Sequence, residues 1–254
     1  VESLRGKVIR NAFFAPPGSK LVAFDYSQIE LRIAAFLSGD KKLIEIFKSG
    51  KDVHSAVASE VFKVSENEVT KEMRRSAKVI NFGILYGMGV NALQANLGTD
   101  RKTAQEFLNA YFEKFSGLAE YLDDTKAVAA KNGYTKTFFG RRRYFEGLKS
   151  KIPFIKAAAE RMAINAPIQG TEADIIKIAM KKIDDFLAEN KLRDRVHLLL
   201  QIHDELIYEI ADDSVSGVKP KIKKIMQDII PSEKIKEVPI IVDSATGQNW
   251  GELK

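Results

Sequence analysis

The chain has no cysteine among its 254 residues. That excludes disulfides, thiolate zinc sites and cysteine nucleophiles, and it fits a reducing, cytoplasmic compartment. Histidine is almost as scarce: the three, His54, His197 and His203, are not spaced as zinc ligands. No apolar run approaches the ~18 residues that span a bilayer, so no membrane partner is expected. No charged start followed by an apolar stretch marks a secretory leader. Internal repeats, low-complexity tracts and Gly/Ser or Pro-rich linkers are lacking, and no GxxxxGK[ST] phosphate loop occurs. The first residue is Val1 rather than Met, which reads as a piece of a longer or processed protein.

What is present is ordinary globular material, 45% apolar and 29% charged, enough to build a sizeable core. Lys and Arg number 40 against 34 Asp and Glu, a net charge of +6. An excess of this size suits a polyanionic partner without identifying one.

Periodicity divides the chain in three. Residues 8–14 and 21–25 read as short strands joined at Pro16-Pro17-Gly18. From Gln28 the period becomes helical through Ile29, Ile33, Phe36 and Leu37, and Gly39 ends it. Residues 40 to about 131 read as successive helices, and 133–156 as irregular, aromatic and basic. A long helical pattern covers about 154–188, disturbed at Pro167 and Gly170, where Thr171 and Asp174 offer a capping box to restart it. Strands at 196–202 and 206–210 form a hairpin around His203-Asp204-Glu205; a helix at 215–229 and a strand at 238–242 follow. The order predicts an α+β fold: a small antiparallel sheet with flanking helices and a large helical subdomain inserted into it.

Three constellations carry chemistry. Asp25 ends an apolar strand, and Asp204 sits at the tip of the apolar hairpin. Each alone fits an ordinary turn or cap carboxylate. If their strands are neighbours, the two acids can hold a pair of Mg²⁺ ions about 3.5–4 Å apart for phosphoryl transfer. Arg75, Lys78, Phe82 and Tyr86 fall along one helical stripe with Arg74 beside it, cations at one end and aromatics at the other. That arrangement suits a phosphate chain and a stacked base, and equally a solvated basic turn before an aromatic core stripe. Residues 79–86 also read as a buried strand. Gly87-Met88-Gly89-Val90-Asn91-Ala92 would then open a dinucleotide-binding unit, but the acid expected about twenty residues on, Glu106, lies inside a helical pattern. Finally, Arg161, Asn165 and Gln169 recur every four residues, as an ordinary polar face or as donors along a minor groove. Arg141-Arg142-Arg143, set among Phe138, Phe139, Tyr144 and Phe145, reads as a phosphate-contacting or a merely solvated loop. His54 is a phosphate donor or a structural histidine.

These residues together resemble family A DNA polymerases of the bacterial DNA polymerase I type. Asp25-Tyr26-Ser27-Gln28-Ile29-Glu30-Leu31-Arg32 is similar to motif A, and Arg74 through Gly87 to motif B, RxxxKxxxFxxxYG. His203-Asp204-Glu205-Leu206 is similar to motif C, and Arg161 through Gly170 to RxxxNxPxQG. Order and separations agree, and the likeness covers nearly the whole chain. It implies a palm at 1–39 and 156–254 around fingers at 40–155, with motif B helical. Asp25 and Asp204, with the Tyr26 carbonyl, would bind two Mg²⁺, for which Mn²⁺ can substitute. Glu205 would lie near them, and Lys78 is a candidate acid for the leaving group. Arg74, Lys78 and His54 would hold a deoxynucleoside triphosphate, with Gln28 nearby. Phe82 would stack on its base, Tyr86 would sit beside the nascent pair, and Glu30 would exclude a ribose 2′-hydroxyl. Gln169 and His203 would contact the minor groove at the primer end, and Arg161, Asn165, Gln201, Arg141 and Arg142 would also meet the primer-template DNA. The thumb and the nuclease domains would lie before Val1, so an upstream thumb-containing segment or chain is an expected partner. Two rival readings remain: a single-subunit RNA polymerase, against which the Glu30 context argues, and a non-catalytic DNA-binding subunit or inactive fragment. Asp25, Asp204 and Lys78 are all intact, so nothing in the residues marks loss of the chemistry.

Overall fold

The computed structural model describes residues 4–253, and side chains from residue 8 onward. In chain order the elements are α1 (Leu4–Asn11), β1 (Ser19–Tyr26), α2 (Ile29–Ser38), α3 (Lys41–Lys48), α4 (Val53–Phe62), α5 (Lys71–Leu85), α6 (Val90–Leu97), α7 (Arg101–Lys114) and α8 (Ser116–Asn132). The hairpin β2 (Tyr134–Lys136) and β3 (Arg142–Tyr144) follows, then α9 (Pro153–Glu189), β4 (Val196–Ile202), β5 (Glu205–Ala211), α10 (Asp212–Gln227) and β6 (Val242–Gly247). They form two compact units. The sheet unit takes residues up to 29, then 173–231 and 240 onward; the helical unit takes 30–172 and 232–239.

In the sheet unit, four strands run in the order β4-β5-β1-β6, with β1 antiparallel to both β5 and β6. The central strand is apolar on both faces, and each face is covered. Leu21 and Ala23 join Ala15, Ile207 and Leu253 on one side. On the other, Phe24 meets Tyr208 edge to face at 5.9 Å, and Tyr26 donates to the Met226 carbonyl of α10 at 2.9 Å.

Two expectations change here. Residues 8–14 are the end of α1 and a turn rather than a strand, with only a single bridge from Phe14 to Asn249. Both edges of β1 are already taken by β5 and β6, so no edge of it remains for another strand. The last strand begins at Val242, beyond the apolar run 238–242. Pro239 has no N–H to give a ladder, and Val238, Ile240 and Val242 serve as core instead. β4 is apolar yet exposed, because it lies at the sheet edge with a register shift between Leu198 and Leu200.

In the helical unit, one buried carboxylate ties two helices. Asp40 caps α3 by accepting from Leu43 N at 2.9 Å, and its other oxygen accepts from Gly117 N and Leu118 N at the start of α8, at 3.0 and 3.2 Å. Residues 79–85 are helix, since Ala77, Ile80, Ile84 and Leu85 fall on one buried face at steps of three and four. α9 runs unbroken through Pro167 and Gly170, so Thr171 restarts nothing. Its buried hydroxyl donates to the Pro167 carbonyl at 2.6 Å and accepts from Phe138 N at 2.9 Å. Gly170 is required by close approach, because a Cβ there would lie 2.6 Å from Thr137 Cγ2.

Thr171→Val keeps the shape and strands the Phe138 amide, so it should cost ~1–3 kcal/mol. Thr171→Ser should keep most of that stability. Urea midpoints at unchanged slope check both.

Candidate functional site

The acids gather at one end of the sheet. Asp25 lies directly opposite Glu205 of β5 and, on its other flank, Asp243 of β6. Opposite residues of antiparallel strands share a face, so the three project together, on the same side as Leu21 and Ala23. β4 and β5 are joined through His203 and Asp204 alone. His203 takes a left-handed φ of 52°, and the Gln201 side-chain amide closes the turn on its carbonyl at 2.8 Å. This turn packs against the end of β1, where Tyr26 N donates to the Asp204 carbonyl at 3.2 Å. Asp25 and Asp204, 179 residues apart by their numbers, are thus brought to one place. Glu205 is buried at 4% exposure, while His203 and Gln201 are exposed. Gln28 also takes a left-handed φ, 55°, one residue before α2.

The oxygen chemistry of Asp25, Asp204 and the Tyr26 carbonyl fits Mg²⁺, which is content with one or two carboxylates and keeps the remaining positions for water and phosphate. Among the described residues no group of three or more His, Cys, Asp or Glu is placed to hold a metal ion.

In the helical unit, α4 and α5 pack together with their caps in place. Asp52 accepts from Ser55 N at 2.7 Å, and Thr70 from Met73 N at 3.2 Å. Asp52 also grips Arg74 through two bonds, from Nε at 3.0 Å and from an Nη at 2.9 Å. Burial alone would push the Asp52 carboxyl up; the Arg74 guanidinium and the Ser55 groups outweigh it and hold it down to about 2. Lys78 is exposed one turn on from Arg74. Phe82 stacks with Tyr86, centroids 6.4 Å apart and planes within 19°, and meets the His54 ring at 5.9 Å. Burial pushes the His54 imidazole down to about 4; Arg74 and Lys78 act in the same sense, and Asp52 opposes them. Behind His54, Asn81 Nδ2 lies 3.0 Å from its Nδ1.

The Tyr86 hydroxyl donates to Glu30 at 2.8 Å and also bonds Gln169. Burial first, then the Glu30 carboxylate, push that phenol up. Gly87 follows at φ +66°, where a Cβ would lie 3.0 Å from Arg161 Cγ. So Arg161 and Gln169 of α9 flank the end of α5, and Asn165 lies on the same helix with a buried Oδ1. The Gly87–Ala92 run follows a helix, α5, and runs into another, α6, instead of following a strand. Arg141 is anchored on the Gly170 carbonyl at 2.9 Å. Arg142 lies 4.8 Å over the Tyr134 ring on the exposed hairpin.

Asp52, Asn81 and Asp243 escape the sequence reading. The first two lie beside the singled-out residues at 54 and 82. Asp243 directly follows an apolar run, as Asp25 does. Strand register and helix contacts, which spacing does not give, bring them into the site.

Residues 1–252 match the model of a family described as DNA polymerase family A. The chain is 45% identical over 252 residues to DNA polymerase I of Pseudomonas aeruginosa, covering 99% of this chain and 27% of that one. It is 42% identical over 249 residues to the thermostable DNA polymerase I of Thermus aquaticus, covering 98% and 29%. It therefore spans less than a third of these relatives' length. Among solved structures it is similar, with a TM-score of 0.93 and 40% identity, to the POL domain of Pol1 from M. smegmatis in complex with DNA primer-template and dNTP, covering 100% of this chain and 44% of that one.

The His54 shift has a sign. A folded imidazole held near 4, against an ordinary value of 6.5, binds fewer protons than the unfolded one between those limits. Its contribution to stability is complete above about pH 6.5 and is lost as the pH falls toward 4. The stability gap between the native chain and His54→Gln should therefore narrow from pH 7 to pH 4.5. Urea unfolding across that range measures it.

Proposed function

Because the chain belongs to DNA polymerase family A, we propose that it carries the nucleotidyl-transfer centre of a template-directed DNA polymerase, extending a primer 3′ end with deoxynucleotides. The observation that carries this reading is the meeting of Asp25 and Asp204 at one end of the sheet, through the Tyr26–Asp204 backbone bond and the Asp25–Glu205 register. Residues 1–39 and 156–254 serve as palm and 40–155 as fingers. The primer-template DNA and dNTP held by the M. smegmatis relative support the same partners for this chain, together with a thumb-bearing segment or chain. The bacterial relatives support a cytoplasmic, nucleoid-associated setting.

Asp25, Asp204 and the Tyr26 carbonyl would hold two Mg²⁺, or Mn²⁺ in their place. Ions bound there would acidify the primer hydroxyl, whose proton leaves to solvent, and would neutralise charge on the phosphates. Glu205, buried opposite Asp25, fixes the carboxylate end of the strand pair. Arg74, Lys78 and His54 bind the triphosphate, and their positive or donating groups offset the charge that spreads over it in transfer. The primer 3′ oxygen bonds to the α-phosphorus as the bond to the bridging oxygen breaks. Lys78 gives a proton to the departing pyrophosphate. Phe82 stacks on the incoming base, Tyr86 lies beside the new pair, and Gln28 borders the nucleotide. Glu30, steadied by the Tyr86 hydroxyl, occupies the place a ribose 2′-hydroxyl would need. Arg161, Asn165, Gln169, Gln201 and His203 donate to minor-groove acceptors that every correct pair presents. Arg141 and Arg142 contact phosphate.

Primer extension with Mg²⁺, by the chain alone and with a thumb-containing segment added, tests the proposal. Asp25→Ala and Asp204→Ala should each lower extension by at least about a hundredfold to a thousandfold, with little change in DNA affinity. Binding of primer-template without extension in either arrangement would mark a non-catalytic module, and preferential ribonucleotide incorporation an RNA polymerase. Separately, Phe82→Tyr should raise dideoxynucleotide incorporation relative to the native chain; equal discrimination by both would remove Phe82 from its assigned place.

A further inference from the structure

We propose that Asn81 is a positioning residue that fixes His54 as the tautomer protonated on Nε2, so that this N–H is what the side chain offers to a triphosphate. The second half rests on the placement of a triphosphate at His54 given above; the first half stands on the contact between the two side chains and the burial of both.

Asn81 lies on the buried face of α5 with no exposed surface, and His54 on α4 is 3% exposed. The contact between them is from Asn81 Nδ2 to His54 Nδ1, at 3.0 Å. With its nitrogen turned to the ring, the Asn81 amide has hydrogens to give and accepts nothing there, which pairs with an Nδ1 that carries no proton. Burial holds the imidazole near 4, hence neutral at pH 7. A neutral ring has one N–H, which then lies on Nε2. The other ring neighbours fix its place: Phe82 lies against it at 5.9 Å, and Asp52 caps the first turn of its helix. Asn81 itself is poorly satisfied, because its Oδ1 is buried with no hydrogen-bond partner among the described residues. An apolar residue of the same size would fill the space at lower cost, so a polar one at this position calls for a reason. Setting the proton position of His54 supplies it. The Arg74 guanidinium offers several N–H donors, whereas a neutral imidazole gives a hydrogen bond from only one of its two nitrogens.

The three histidines make the test direct. With ¹⁵N-histidine in the full chain, long-range ¹⁵N–¹H correlation at pH 7 without nucleotide should show His54, assigned by its loss in His54→Gln, with an unprotonated Nδ1 and a protonated Nε2. Asn81→Asp presents only acceptors and should draw a proton to Nδ1. Asn81→Leu should leave the two tautomers mixed. Both variants should raise the nucleotide KM about tenfold, the loss of one charge-assisted hydrogen bond, with kcat changing less. Protonated Nδ1 in the native chain overturns the proposal, and that spectrum decides the matter even if a variant does not fold. An unmoved proton in Asn81→Asp overturns it as well. A tautomer that shifts as expected, with nucleotide KM unchanged in Asn81→Asp and His54→Gln alike, upholds the tautomer and overturns the role assigned to His54 at the triphosphate.

Discussion

β1 is the constraint on which the sheet unit depends. It is paired on both edges, apolar on both faces and terminated by an acid, so it has no freedom to slip. A shift of one residue would move every buried side chain to the wrong face. It would also separate Asp25 from Glu205 and Asp243 and break the bond from Tyr26 N to the Asp204 carbonyl. The same burial that stabilises the sheet therefore places the carboxylates, and hydrophobic register is converted into the geometry of a polar centre.

The helical unit reaches a comparable end by another route. α5 presents Asn81 and its apolar neighbours to the interior, and Arg74, Lys78, Phe82 and Tyr86 outward. Three of the outward groups are held from beside or behind: Arg74 by Asp52, Tyr86 by Glu30 and Gln169, and the Phe82 ring by Tyr86 and His54. Long side chains that are held in this way lose less entropy when a ligand arrives, which is how a preformed surface gains affinity without additional contacts.

Much of this was legible in residue order. The antiparallel hairpin, the helical insertion and the Arg74–Tyr86 stripe follow from periods of two and 3.6. Motif spacing then separated a helix from a strand at 79–86, where the apolar run alone was ambiguous. What was not legible depends on long-range competition. Residues 8–14 have strand-like composition, but both edges of β1 are taken by β5 and β6. Pro239 shifts the last strand past its apolar run. Thr171 appeared as a cap, whereas its hydroxyl serves Pro167 and Phe138 inside a continuous helix. Asp52 and Asn81 carry no pattern of their own; only the packing of α4 on α5 reveals what they touch.

The shift in β4 bears on how the molecule behaves among its own copies. Leu198, Leu199 and Leu200 stand 38–46% exposed on the outermost strand, the composition and location that invite another chain to add itself to a sheet. The irregularity between Leu198 and Leu200 interrupts the row of outward N–H and C=O groups midway. An incoming strand finds no continuous template there, so the greasy rim is kept from seeding aggregation by a fault in its own ladder.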